Sequence, residues 1–91
     1  MSVLIRIPAP LRAVTAGESE VRVDGESVDA VLGQLEGRFP EIRRRIRDEA
    51  GEIRRFVNLY VNGEDIRFLS GLETAVKSGD EMSIIPAVAG G

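Results

Sequence analysis

The chain has 91 residues, enough for one hydrophobic core and too few for two, which excludes a multidomain enzyme. Hydrophobic residues make up 43% and charged residues 30%, an ordinary globular balance, so a folded domain is expected. Net charge is −3, which lacks the long-range pull that drives non-specific nucleic-acid binding, and nucleic acid is not an expected partner.

The first strand is expected over residues 2–7, where Val3, Ile5 and Ile7 alternate with Leu4 and Arg6 before Pro8-Ala9-Pro10 ends the run. Residues 20–24 repeat the alternation up to the Asp24-Gly25 turn, and the two runs read as paired strands. Ser27 then suits an N-cap. Behind it Val28, Val31, Leu32, Leu35 and Phe39 form one helical stripe, which Gly33 and Gly37 weaken without breaking. Pro40 suits the first turn of a second, shorter helix with Ile42 and Ile46 inward and Arg43, Arg44, Arg45 and Arg47 outward.

Strand periodicity returns at Phe56, with Val57, Leu59 and Val61 alternating against Phe56, Asn58 and Tyr60. Asn62-Gly63 is the strongest hairpin signal in the chain, and Ile66 and Phe68 are expected to continue the return strand. A last strand is expected over residues 82–85, after Ser78-Gly79-Asp80. Apolar residues at both parities, Leu4 with Ile5 and Ile84 with Ile85, predict that the first and last strands are internal. The element order gives an α+β fold: a mixed four- to five-stranded sheet covered on one face by one main helix.

Absences narrow the chemistry. Without Cys there is no disulfide, thiolate nucleophile or Cys-ligated metal. Without His the usual general base and metal ligand are missing too. No phosphate-binding glycine motif occurs, and Glu64-Asp65 and Asp80-Glu81 lie at expected turns, where carboxylates commonly serve solvation and local hydrogen bonds. No cofactor and no metal are expected. The longest apolar run falls far short of the ~18 to 20 residues a membrane span needs, and Met1 leads directly into Val3-Leu4-Ile5 without a basic region. The expectation is a cytoplasmic protein that does not engage a membrane.

Charge is uneven along the chain. Residues 41–55 carry net +2 between two acidic stretches and hold six of the eleven arginines. Glu41, Asp48, Glu49 and Glu52 are spaced there for intrahelical pairs and no aromatic interrupts the block, so it reads as a solvated helix face.

The ending resists so plain an account. Pro86 lacks a ladder N–H, so residues 1–86 are expected to form the domain and residues 87–91 a flexible tail. Ala87, Val88, Ala89, Gly90 and Gly91 carry neither charge nor hydroxyl, and extended they reach roughly 17 Å. The one reactive group on offer is the carboxylate of Gly91, which is therefore the candidate reacting group, with the four small residues before it threading a partner's narrow channel.

A strand-strand-helix-strand domain ending in Gly90-Gly91 resembles the ubiquitin-like β-grasp fold and, within it, the MoaD/ThiS family of sulfur carriers. The resemblance is carried by the Phe56-Val57-Asn58-Leu59-Tyr60-Val61-Asn62 block and by Pro86-Ala87-Val88-Ala89-Gly90-Gly91, and it is strongest to CysO-type carriers. It implies that an E1-like partner of the MoeB/ThiF type adenylates the terminal carboxylate with ATP. A sulfur source then displaces AMP to leave a thiocarboxylate at Gly91, so the protein is a cosubstrate and not an enzyme. In the CysO-type route the acceptor is a pyridoxal-phosphate-dependent synthase and a metalloprotease releases cysteine. Molybdopterin synthase small subunits, which commonly read Pro-Pro where this chain has Pro86-Ala87, and ubiquitin-like protein modifiers are the alternatives. The β-grasp order also sets the last strand between the first and third, so Leu4, Pro8, Ile85, Phe56 and Tyr60 are expected side by side on the face away from the helix, as an exposed apolar docking cluster. The competing account is that loops cover part of it.

Overall fold

The computed structural model describes residues 2–86. Strand β1 (Val3–Arg6) leads through a 3₁₀ segment at Ala9–Val14 to β2 (Glu20–Val23). Helix α1 (Val28–Arg38) and the short α2 (Glu41–Ile46) follow, then β3 (Val57–Val61), β4 (Glu64–Asp65), 3₁₀ turns at Ile66–Phe68 and Gly71–Glu73, and β5 (Glu81–Pro86). The sheet has five strands in the order β2-β1-β5-β3-β4. β1 and β5 run parallel and the other neighbours antiparallel, so the first and last strands are both internal, as their apolar content at both parities predicts.

Local chemistry explains the elements. The Ser27 hydroxyl accepts a hydrogen bond from the Ala30 N–H at 3.1 Å and so caps α1. Val28, Val31, Leu32 and Leu35 of that helix are fully buried against Val3, Ile5, Met82, Ile84 and Leu59 of the sheet. Each such side chain contributes about 1.5–3 kcal/mol of apolar burial before its ordering entropy is counted. Asn62 and Gly63 both have positive φ, 50° and 88°, the pairing a two-residue hairpin turn demands. Where the chain enters α1, a Cβ at Gly25 would stand 2.7 Å from Val31 Cγ2 and 2.9 Å from its backbone nitrogen, so only glycine fits this approach.

Two expectations are corrected. The return strand after the hairpin is only Glu64–Asp65: Ile66 and Phe68 form a 3₁₀ turn capped by Asp65, whose Oδ1 accepts from the Arg67 N–H at 2.8 Å, and Phe68 projects outward. The alternation of Ile66 and Phe68 is shared by strands and by turns of this kind, and the capping aspartate decides between them. The second correction concerns Arg47, which is buried and not part of a solvated helix face. Its Nε donates to Glu36 Oε2 at 2.7 Å, and its Nη1 donates to Asp29 Oδ1 at 2.8 Å and to the Gly51 carbonyl at 3.2 Å. The block's chemistry is thus partly inter-element: Arg47 and Arg43 pair with α1, while Arg44–Glu41 at 3.9 Å is a pair within α2. A guanidinium lost from water in this way needs several carboxylate and carbonyl acceptors, and it has them.

Candidate functional site

The sheet face opposite α1 carries Leu4 and Arg6 from β1, Glu81, Ser83 and Ile85 from β5, and Asn58 and Tyr60 from β3. Ile85 lies directly across from Asn58 and Tyr60 from Ser83. Phe56 precedes β3 and is 52% exposed, and Ile85 is 45% exposed, so both present apolar surface to solvent. Pro8 and Tyr60 are half-buried. Tyr60 also stands opposite Asp65, whose carboxylate is bound by Arg67 Nη2 at 2.6 Å and is held below its ordinary range by that guanidinium and by the Arg67 N–H.

Leu4 departs from the expected cluster. It is only 9% exposed and stands level with Arg22 and Glu81, whose long side chains flank it across the sheet. Arg6, not Leu4, is level with Ser83, so Leu4 sits four positions along the strand from the level of Ile85, roughly 13 Å away. Between them Arg6 bridges Glu20 Oε2 at 2.8 Å and Glu81 Oε1 at 3.0 Å. The outer face is therefore divided: a charged band crosses β2, β1 and the start of β5, and the exposed apolar residues gather at the far end with Ile85 and Phe56.

That far end is where the chain leaves the sheet. Pro86, the last residue of β5, faces Val57. The tail residues Ala87, Val88, Ala89, Gly90 and Gly91 lie outside the described residues. Beside Val57 and Phe56 a cleft of about 430 Å³ is lined by Arg45, Asp48, Arg54 and Arg55, a gathering of arginines that spacing along the chain does not reveal. Its only sequence signal was the density of arginine in residues 41–55, and nothing in that density says which of them meet β3. At the opposite end of β5, Asn62 Nδ2 donates to Asp80 Oδ1 at 3.1 Å, and its Oδ1 accepts from the Glu81 N–H at 3.0 Å. Asp80 thus works as a structural clip, with its carboxyl held below the ordinary range by the Lys77 N–H and Asn62. Among the described residues no group of three or more His, Cys, Asp or Glu could hold a metal ion, and no helix is long and apolar enough to cross a membrane.

The central strand of this five-stranded sheet, β5, is followed in sequence by Ala87-Val88-Ala89-Gly90-Gly91. The family model described as the ThiS family matches residues 5–91. This chain belongs to the ThiS family. The sulfur carrier protein CysO of Mycobacterium tuberculosis is 45% identical over 93 residues, an alignment that spans 100% of both chains. The crystal structure of the Amycolatopsis orientalis BexX/CysO complex contains a chain with 45% identity and a TM-score of 0.91, over 98% of this chain and 99% of that one. Small archaeal modifier protein 3 of Haloferax volcanii is 36% identical over 93 residues, again spanning 100% of both. Within the ThiS family the chain is thus a sulfur carrier of the CysO type, a small protein cosubstrate in place of an enzyme. The ubiquitin-like β-grasp expectation holds in strand order and helix placement alike.

Proposed function

We propose that the carboxylate of Gly91 is the reacting group of this carrier. An E1-like partner of the MoeB/ThiF type joins it to the α-phosphate of ATP and releases pyrophosphate. A sulfur donor then attacks the acyl carbon, AMP leaves, and the chain ends in a thiocarboxylate that donates sulfur in biosynthesis of cysteine or another sulfur-containing metabolite. The acceptor is a synthase, of the pyridoxal-phosphate-dependent kind in the cysteine route, with a metalloprotease releasing the product. Gly90, Ala89, Val88 and Ala87 thread the partner's channel, since residues this small leave the backbone free to pass a narrow passage. Phe56, Ile85, Tyr60 and Pro8 form the docking surface, without Leu4, which is buried.

The observation that carries this reading is the end-to-end match with a sulfur carrier, which aligns Gly91 with that protein's own terminus. The arrangement at Pro86 is compatible with it: paired to Val57 inside the sheet, the root of the tail is fixed, so the last five residues can be aimed. The test is the mass of the C-terminal peptide after incubation with the E1-like partner, ATP and a sulfur donor, which should rise by the difference between sulfur and oxygen.

The similarity to a small archaeal modifier supports a second reading, in which the same activated terminus is passed to lysines of other proteins. Covalent adducts that survive denaturing gels would favour it, and a free thiocarboxylate pool favours the carrier. A role as molybdopterin synthase small subunit would instead show as stable copurification with a larger subunit.

A further inference from the structure

Arg45, Arg54 and Arg55 gather at the end of the sheet where β5 stops. Arg45 lies in the last turn of α2, Arg54 and Arg55 lie just before β3, and all three line one cleft with Phe56 and Val57, the residue that faces Pro86. Their placement is fixed from beneath. The Arg54 N–H donates to the Ile46 carbonyl at 2.8 Å, its Nε donates to the Arg44 carbonyl at 2.7 Å, and buried Arg47 holds the intervening loop through Gly51.

None of the three forms an ion pair among the described residues, whereas Arg6, Arg43, Arg44, Arg47 and Arg67 all do. The cleft holds one carboxylate, Asp48, whose Oδ1 accepts from the Ala50 and Glu52 N–H groups at 2.9 and 3.0 Å and which forms no ion pair with these arginines. A favourable position at a helix C-terminus accounts for Arg45, but not for Arg54 or Arg55. In a chain of net charge −3, three arginines and one aspartate thus leave a local excess of positive charge beside an exposed phenylalanine at the tail root.

We propose that Arg45, Arg54 and Arg55 dock an acidic surface of the enzyme that activates Gly91. This rests on the activation chemistry proposed above.

The experiment measures carrier-dependent ATP–pyrophosphate exchange by an E1-like enzyme of the MoeB/ThiF type, with full-length wild type, an Arg45→Glu/Arg55→Glu variant and an Arg45→Lys/Arg55→Lys variant. Both positions are exposed and their side chains make no hydrogen bond among the described residues, so neither variant should perturb the fold. Charge reversal should raise the KM for carrier about tenfold with kcat unchanged, and should abolish the rise of KM with salt that wild type shows. The lysine variant, which keeps the positive charge, should keep the wild-type KM. No exchange with wild type would count against activation at Gly91 itself. Exchange with wild type and an equal KM for the glutamate variant would overturn the docking role, as would a lysine variant as impaired as the glutamate one. Unaltered exchange with impaired sulfur delivery would move the contact to the acceptor and overturn the assignment.

Discussion

Pro86 faces Val57 at the last rung of the β3–β5 ladder, and this single pairing sets the root of the tail beside Phe56. The docking surface proposed above lies at this end of the sheet. The prediction is that the domain folds without its ending: deletion of Gly91 should leave the unfolding midpoint unchanged while abolishing activation. Replacement of Gly90 by a larger residue should slow activation through steric exclusion from the partner's channel. Both are checked by urea melts beside carrier-dependent pyrophosphate exchange, and normal exchange by the truncated chain would count against the account.

Ile84 and Ile85 are neighbours with opposite duties. Ile84 is buried in the core and Ile85 projects from the outer face. Ile84→Ala should cost about 2–5 kcal/mol, the range for truncating a buried aliphatic. Ile85→Asp should cost under about 1 kcal/mol while weakening transfer from the activating partner. Unfolding of the Ile85 variant would show that the outer face is not free surface.

Arg47 is predicted to be the most sensitive charged residue in the chain. Removing it leaves Glu36 buried with only Arg43 nearby at 3.4 Å, and releases the loop through Gly51. Arg47→Ala should lower stability by about 3 kcal/mol, read as a lower urea midpoint with an unchanged slope. A loss below about 0.5 kcal/mol would mean that the buried network is dispensable.

Acid should weaken the clip at Asp80. Its folded-state pKa lies below the ordinary value of 3.8 because the Lys77 N–H and Asn62 hydrogen-bond the ionised form, with the nearby Lys77 charge as a smaller cause. The unfolded chain therefore binds the proton more readily, so the contribution is complete above the ordinary value and disappears as pH falls through the lower folded-state one. Below about pH 4 the stability of Asp80→Asn should fall less steeply with decreasing pH than that of wild type. Equal slopes in chemical melts between pH 2 and 5 would refute the assignment.

Much of this molecule is legible in its sequence because its strongest signals are local. Ser27, the stripe from Val28 to Leu35, and Asn62-Gly63 each act within one turn of backbone, and each does in the structure what its spacing demands. The misread residues depend on partners far away in the chain. Arg47 is drawn inside by Glu36 and Asp29, eleven and eighteen positions earlier, and helical periodicity cannot show that a cation will find two carboxylates on another helix. Leu4 has the parity of a surface residue yet is only 9% exposed, level with Arg22 and Glu81 of the two adjoining strands, a matter of register and not of alternation. The gathering of Arg45, Arg54 and Arg55 around Phe56 likewise needs the loop after α2 to fold back on β3.

The central claim is that the carrier takes up sulfur at Gly91 and only with help. Its most direct test is the intact mass of the purified chain after incubation with ATP and sulfide, with and without an E1-like partner of the MoeB/ThiF type, followed by fragment mapping. The account predicts no change without the partner. With it, the mass should rise by the difference between one sulfur and one oxygen, confined to the peptide that ends in Gly91. Sulfur incorporated without the partner, or mapped anywhere other than that peptide, would contradict it.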